Sequence, residues 1–121
     1  MIYRGAIHHR RNMGELDRKM LHGNTETLVL ALLAEEEQYG YQMRKDLATR
    51  SHHYFQFAFG RLYPLLAALE RRRLVKAHWV KAGKSRQQKH YQLTAKGLIE
   101  LRQRKQKWRQ FRDAMDRVLA G

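Results

Sequence analysis

The 121-residue chain contains no cysteine. Disulfides, thiolate metal sites and cysteine nucleophiles are therefore excluded, and a reducing, cytoplasmic setting fits. Proline is limited to Pro64, so little of the chain is barred from helix. Acids are scarce: 11 Asp and Glu face 25 Lys and Arg, for a formal net charge of +14. That imbalance points to nucleic acid, an acidic partner or an anionic surface. Long apolar runs are also missing. The longest, LVLALLA at 28–34, ends in three glutamates and falls well short of the ~18 residues that span a bilayer. Residues 1–14 carry Arg4, Arg10 and Arg11 with no apolar stretch behind them, which is not a secretory signal. Ser51 and Ser85 sit in no nucleophile-elbow context, and no glycine-rich phosphate loop occurs. No enzymatic activity is expected. The histidines occur as adjacent pairs, His8-His9 and His52-His53, or singly at His22, His78 and His90. None has the i, i+4 spacing of a helical ligand pair, so no metal and no cofactor are expected.

With 43% hydrophobic residues, the chain has enough apolar side chains to fold over most of its length. Its size suggests one domain whose core would benefit from a second copy. The clearest pattern is GRLYPLLAALERRRL at 60–74. Leu62, Leu65, Leu66 and Leu69 follow the i, i+3, i+4, i+7 spacing of one buried helix stripe. The opposite side carries Gly60, Pro64, Ala67 and Arg71, flanked by Arg61 and Tyr63. A helix so shaved and basic on its outer face can approach an anion closely.

Around it the pattern predicts a basic arm over 1–22, partly helical at 15–21. A helix follows, capped by Asn24, with Leu28, Ala31 and Leu32 on its apolar face. A turn at Tyr39-Gly40 leads to a second helix over 41–50, whose core face is Tyr41, Met43, Leu47 and Ala48. After a loop at 51–59 comes the Gly60 helix, with Pro64 in its opening turn. Residues 74–81 alternate, with Val75, Ala77 and Trp79 on one side, and 90–93 alternate again with Tyr91 and Leu93 inward. Between them, 82–89 forms a long basic hairpin tip. Thr94 caps a last helix running to about residue 120. Leu101, Trp108 and Met115 lie seven apart, with Phe111 and Val118 interleaved and Arg104 breaking the rhythm; this is a coiled-coil-like seam. The expected fold is mainly α with a small β-hairpin. It is a winged helix-turn-helix over 23–93 (three helices plus a wing), followed by a long dimerisation helix over 94–121.

In such a fold the third helix enters a major groove of double-stranded DNA and the wing rests on adjacent backbone. The candidate DNA contacts are Tyr41 and Arg44 on the second helix, and Gly60, Arg61, Tyr63 and Arg71 on the third. Lys84, Ser85, Arg86 and Lys89 in the wing complete the set. Arg61 can read guanine O6 and N7 or clamp a phosphate. Leu101, Trp108, Phe111, Met115 and Val118 are the candidate dimer contacts.

The combination G-x-L-Y-P-x-L-x-x-L-E from Gly60 to Glu70, then Leu74-Val75, then Y-x-L-T-x-x-G from Tyr91 to Gly97 resembles the PadR-type transcriptional regulators. LVLALL at 28–33 and Tyr39-Gly40-Tyr41 extend the resemblance. It implies a homodimeric winged-helix repressor whose C-terminal helix exchanges contacts with its partner on an inverted-repeat operator. It also implies relief by a small-molecule effector, such as a phenolic compound, with Trp108 walling the pocket. The chain departs from the family's habits at Ala58-Phe59, where Ser-Pro is usual, and at Arg61, where Thr or Ser is usual. It departs again at Tyr39, often His, and at Arg73, where glycine normally ends the helix. Two other classes fit the charge or the seam: an RNA-associated winged-helix module and a protein–protein adaptor. A-form RNA has too narrow a major groove for the third helix, and an adaptor leaves the basic wing idle.

Overall fold

Helix α1 (Thr25–Glu35) is the apolar centre around which the rest is laid. Val29, Leu30, Leu32 and Leu33 are all buried, because α1 is covered on most of its circumference. Leu28 and Ala31, expected to lead its core face, instead line a cleft beneath the last helix. Asn24 precedes α1 but its side chain makes no cap; its amide donates backwards to the Met20 carbonyl at 3.4 Å. The structure is a computed structural model that describes Leu16, Met20, Leu21 and residues 23–121. Leu16, Met20 and Leu21 are helical, and Leu21 joins the core. The expectations for Arg4, Arg10, Arg11, His8, His9 and His22 lie outside the described residues.

Where a simple turn was expected, the structure has a short strand, β1 (Gln38–Tyr39). It adds to the hairpin of β2 (Val75–Lys81) and β3 (Gln87–Leu93), giving a three-stranded antiparallel sheet in the order β1-β3-β2. Gln38 stands opposite Tyr91, and Tyr39 opposite His90. Two residues are too few for an alternation signal, so pairing alone reveals this strand. Gln38 is buried, and its amide donates to Asp46 at 2.7 Å, tying the strand to α2 (Gly40–Arg50). Met43 and Leu47 supply the α2 core face as expected, while Tyr41 is exposed.

Helix α3 (Phe59–Arg71) buries Leu62, Leu66 and Leu69, with Leu65 partly covered. It starts one residue earlier than Gly60, and Pro64 falls in its second turn rather than its first. A proline there cannot donate to the Gly60 carbonyl. Both residues are exposed, so water can take that acceptor. At the other end the Arg73 N–H donates to Glu70 O and the Leu74 N–H to Leu69 O, each at 3.0 Å. This is a Schellman ending with arginine in the left-handed position, at φ 63°. A β-carbon is unfavourable there. Arg73→Gly is therefore expected to stabilise the fold by about 1 kcal/mol. Chemical denaturation checks this, and an unchanged or lower midpoint would refute it.

Helix α4 (Ala95–Ala120) follows Thr94, whose hydroxyl accepts from the Gly97 N–H at 2.9 Å, as the sequence suggested. Leu101 is only 2% exposed and belongs to this chain's own core, so it does not serve the outer seam. Arg104 leaves the heptad rhythm for a related reason. It turns inward, donating to Glu26 at 2.7 Å and to Glu100 at 2.8 Å. Arg72 joins the same cluster through Glu26, at 3.2 Å. Arg104's hydrogen bond, aided by the charges of Arg104, Arg72 and Lys96, outweighs burial and holds the Glu100 carboxyl below the usual carboxylate range. A lowered carboxyl stabilises the folded state above its unfolded pKa of ~4.3, and that contribution disappears as pH falls through the folded value. The thermal midpoint should drop on acidification below pH ~4.3, and Glu100→Gln should shrink that drop. Identical acid profiles for the two proteins would show that the cluster contributes nothing.

Candidate nucleic-acid interface

Three elements supply the surface: the start of α2, the start of α3 and the wing. Gly40 opens α2, and a β-carbon on it would come within 2.6 Å of the Tyr63 hydroxyl. The absence of that carbon lets the Tyr63 ring lie against α2, half buried, with its flank outward. Phe59 stacks on Tyr63 with centroids 5.5 Å apart. The guanidinium of Arg44 sits 4.8 Å from the Phe59 ring centre, and its Nε donates to the Phe57 carbonyl at 2.7 Å. Arg61 lies 5.7 Å from the Phe57 ring, on the flank of α3 that borders a cleft with Glu26, Leu65, Trp108 and Phe111 rather than the groove beside the wing. The aromatic rings at 57 and 59 thus hold two cations at the end of α3 that leads the surface. In the sequence Phe59 reads only as a departure from the family's habit, and Phe57 gives no signal. The loop composition offered no periodicity from which their role could be read.

Helix α3 presents Gly60, Pro64 and Ala67 outward as the wheel predicted. Arg71 is exposed, but 11 residues of helix place it about 16 Å beyond Gly60. It stands at the far margin of the surface. Arg72 is committed to Glu26 and Arg73 to the helix ending, so the triple arginine does not act as one patch. Ala58 begins α3 without a side-chain cap, as expected from the missing serine.

The wing tip is shorter than expected. β3 already starts at Gln87, so the tip is 82–86, closed by the Ala82 N–H donating to Arg86 O at 3.0 Å. Lys84, Ser85 and Arg86 project from it, all exposed. Lys89 belongs to the strand instead. Its Nζ lies 3.4 Å from Glu70 Oε1, linking the wing to α3. It also sits over Tyr91 and Trp79, at 5.6 and 6.0 Å from the ring centres. Trp79 lies on the expected side of its strand, in register with Lys89, yet is 62% exposed.

Two histidines expected to stand alone are neighbours. His78 pairs with His90 across the sheet, and both rings approach Glu37 Oε2 at 3.3 Å. Among the described residues no group of three side chains suited to a metal ion occurs. Among them, too, no helix is long and apolar enough to cross a membrane.

On α4 the outer seam is open. Phe111 is 65% exposed and Trp108 44%, with Met115, Val118 and Leu119 also uncovered. Trp108 borders a cleft of about 480 Å³ between α1, the α2–α3 loop and α4. Leu28, Ala31 and Phe55 form its apolar wall, and Lys105, Arg109 and Arg112 its basic edge.

Comparison with known proteins places this arrangement in a family. A PadR family transcriptional regulator from Eggerthella lenta is 31% identical, with a TM-score of 0.75 over 86% of this chain and 88% of that one. A PadR-like regulator from Bacillus cereus is 28% identical, with a TM-score of 0.75 over 85% and 98%. Bacillus subtilis PadR, solved in complex with operator DNA, shares the fold at 22% identity, with a TM-score of 0.63 over 67% of this chain and 45% of that one. These neighbours are transcriptional regulators, not enzymes. The family model "Transcriptional regulator PadR-like family" matches residues 29–103, well over half the sequence, and the chain belongs to that family.

Proposed function

We propose that the protein is a homodimeric repressor that binds double-stranded DNA at an inverted-repeat operator and is released by a small aromatic effector. The observation that carries the DNA reading is the open groove between α3 and the wing, lined by Tyr41, Tyr63, Ala67, Arg86 and Lys89 and overhung by the exposed Lys84 and Arg86 of the tip. Along the middle of its outward face α3 bears only the small side chains of Gly60, Pro64 and Ala67. Such a surface lets α3 enter a major groove while the wing reaches the adjoining backbone. Tyr63, in the groove between α3 and the wing, would bond a phosphate, and Arg61, exposed on the flank of the leading turn of α3, would reach a base edge or a phosphate. Tyr41, Gly60 and Ser85 lie along the same approach, with Lys89 behind the tip and Arg71 at the margin.

Pairing through α4 follows from its uncovered side chains. Trp108, Phe111, Met115 and Val118 expose apolar area of the kind a partner helix removes from water. Trp108 also borders the cleft, where a flat ring can lie on apolar side chains and a carboxylate can meet Lys105, Arg109 or Arg112. An occupant there would bear on α4 and so on the angle between the two wings.

Selection of bound sequences from random duplex DNA tests the first part. The expected product is an inverted repeat with half-sites one helical turn or more apart. Sedimentation is expected to give a dimer. A monomer, or a selection without an enriched site, would overturn the reading. Equal binding of duplex RNA would favour the RNA module instead.

A further inference from the structure

We infer that Trp79 is a DNA-contacting residue that lies against the sugar–phosphate strand running between α3 and the wing. The inference rests on the duplex-DNA reading above. A helix in a major groove and a hairpin tip at the adjoining minor groove straddle the one strand that separates those grooves. The space for that strand is already formed. It is an open groove of about 590 Å³ lined by Tyr41, Tyr63, Ala67, Trp79, Arg86 and Lys89.

Its chemistry suits a sugar–phosphate chain better than protein or water. The strand presents apolar deoxyribose faces alternating with anionic phosphates. The groove presents an exposed indole next to Arg86 and Lys89, with tyrosine rings on the opposite wall. Trp79 stands in register with Lys89, so an apolar surface and a cation occur side by side at one level of the sheet. Glu70 holds Lys89 from the α3 side and keeps the ammonium over the Trp79 and Tyr91 rings. Ala67 faces the same space from α3, and its small side chain leaves the groove open. An indole meant for this chain's core would be covered, as Tyr91 two residues beyond Lys89 is; Trp79 is not. Its contact with a deoxyribose face adds apolar and dispersion attraction without neutralising a phosphate.

The test is a salt titration of binding to a duplex recovered by the selection, for the wild type, Trp79→Ala, Trp79→Phe and Lys84→Ala/Arg86→Ala. Trp79→Ala is expected to weaken binding about tenfold while leaving the slope of log affinity against log salt unchanged, because no counterion release is lost. Trp79→Phe should recover most of the affinity, and the cation variant should flatten the slope. Indole emission should be quenched when the wild type binds, and the Trp79→Phe protein should show only the part due to Trp108. Wild-type affinity in Trp79→Ala, or a quench that is the same in Trp79→Phe, would overturn the inference while the cation variant still upholds DNA binding. A flattened slope in Trp79→Ala would also overturn it, since the indole would then act only by holding Lys89. If the wild type binds no duplex at all, the underlying reading falls as well.

Discussion

Gly97→Ala is expected to cost about 3 kcal/mol of folding stability and to lower the thermal midpoint by more than ~10 °C. A β-carbon at Gly97 would stand 2.1 Å from the Leu74 carbonyl oxygen and 2.7 Å from Leu93 Cδ1. The leucine methyl can rotate away; the carbonyl cannot. It already accepts the Thr94 N–H at 3.1 Å and lies 3.0 Å from the Thr94 hydroxyl. It also leads directly out of the Schellman ending of α3. Relief of the clash therefore requires α4 to lift from the point where α3 ends and β2 begins. Elsewhere in the chain Gly97→Ala would be a gain, since alanine is the better helix former by about 1 kcal/mol. The opposite sign makes the test sharp. A midpoint within ~3 °C of wild type would mean that α4 is not seated on Leu74 in solution.

The largest effect on binding should come from the wing. Lys84→Ala/Arg86→Ala is expected to weaken duplex binding by about 30-fold or more near 150 mM salt, with the log–log salt slope shallower by about one per cation in each wing. Both side chains are exposed at the tip and neither takes part in a described hydrogen bond or ion pair. Their loss should therefore leave the thermal midpoint within ~1–2 °C of wild type. Unaltered affinity and slope in a folded variant would remove the wing from the interface and favour an adaptor that works through α4. Lys89→Ala is the instructive contrast. Lys89 is tied to Glu70 and covers Tyr91, so its replacement perturbs the seating of the wing on α3 as well as a charge.

Much of the architecture was legible in the order of residues because it depends on strong local signals. The Leu62-Leu66-Leu69 stripe, the Thr94 cap and the alternation around Val75 and Tyr91 each need only a period or a capping residue. The misplaced features depend on neighbours that are distant in sequence. β1 has two residues and exists because β3 offers an edge. Asn24 has the chemistry of a cap, but the Met20 carbonyl takes its amide. Leu101 keeps the heptad spacing, yet the winged domain claims it before any partner can. Arg104 was legible as an irregularity, and its reason is a pair of acids, one of them on α1. His78 and His90 are far apart in the chain and become neighbours through strand register alone.

Composition and periodicity were enough to establish a basic, cysteine-free winged helix and to mark Gly60–Glu70 as the helix proposed to read DNA, since charge and helical period are properties of the chain itself. Folding was needed to assign individual side chains. It took Leu101, Arg72 and Arg104 for internal use, set Arg44 and Arg61 on the rings of Phe59 and Phe57, and left Trp79 uncovered beside Lys89. Most of those outcomes are competitions between partners for one side chain, and partners as distant in sequence as Glu26 and Arg104 meet only when the helices and the sheet have packed.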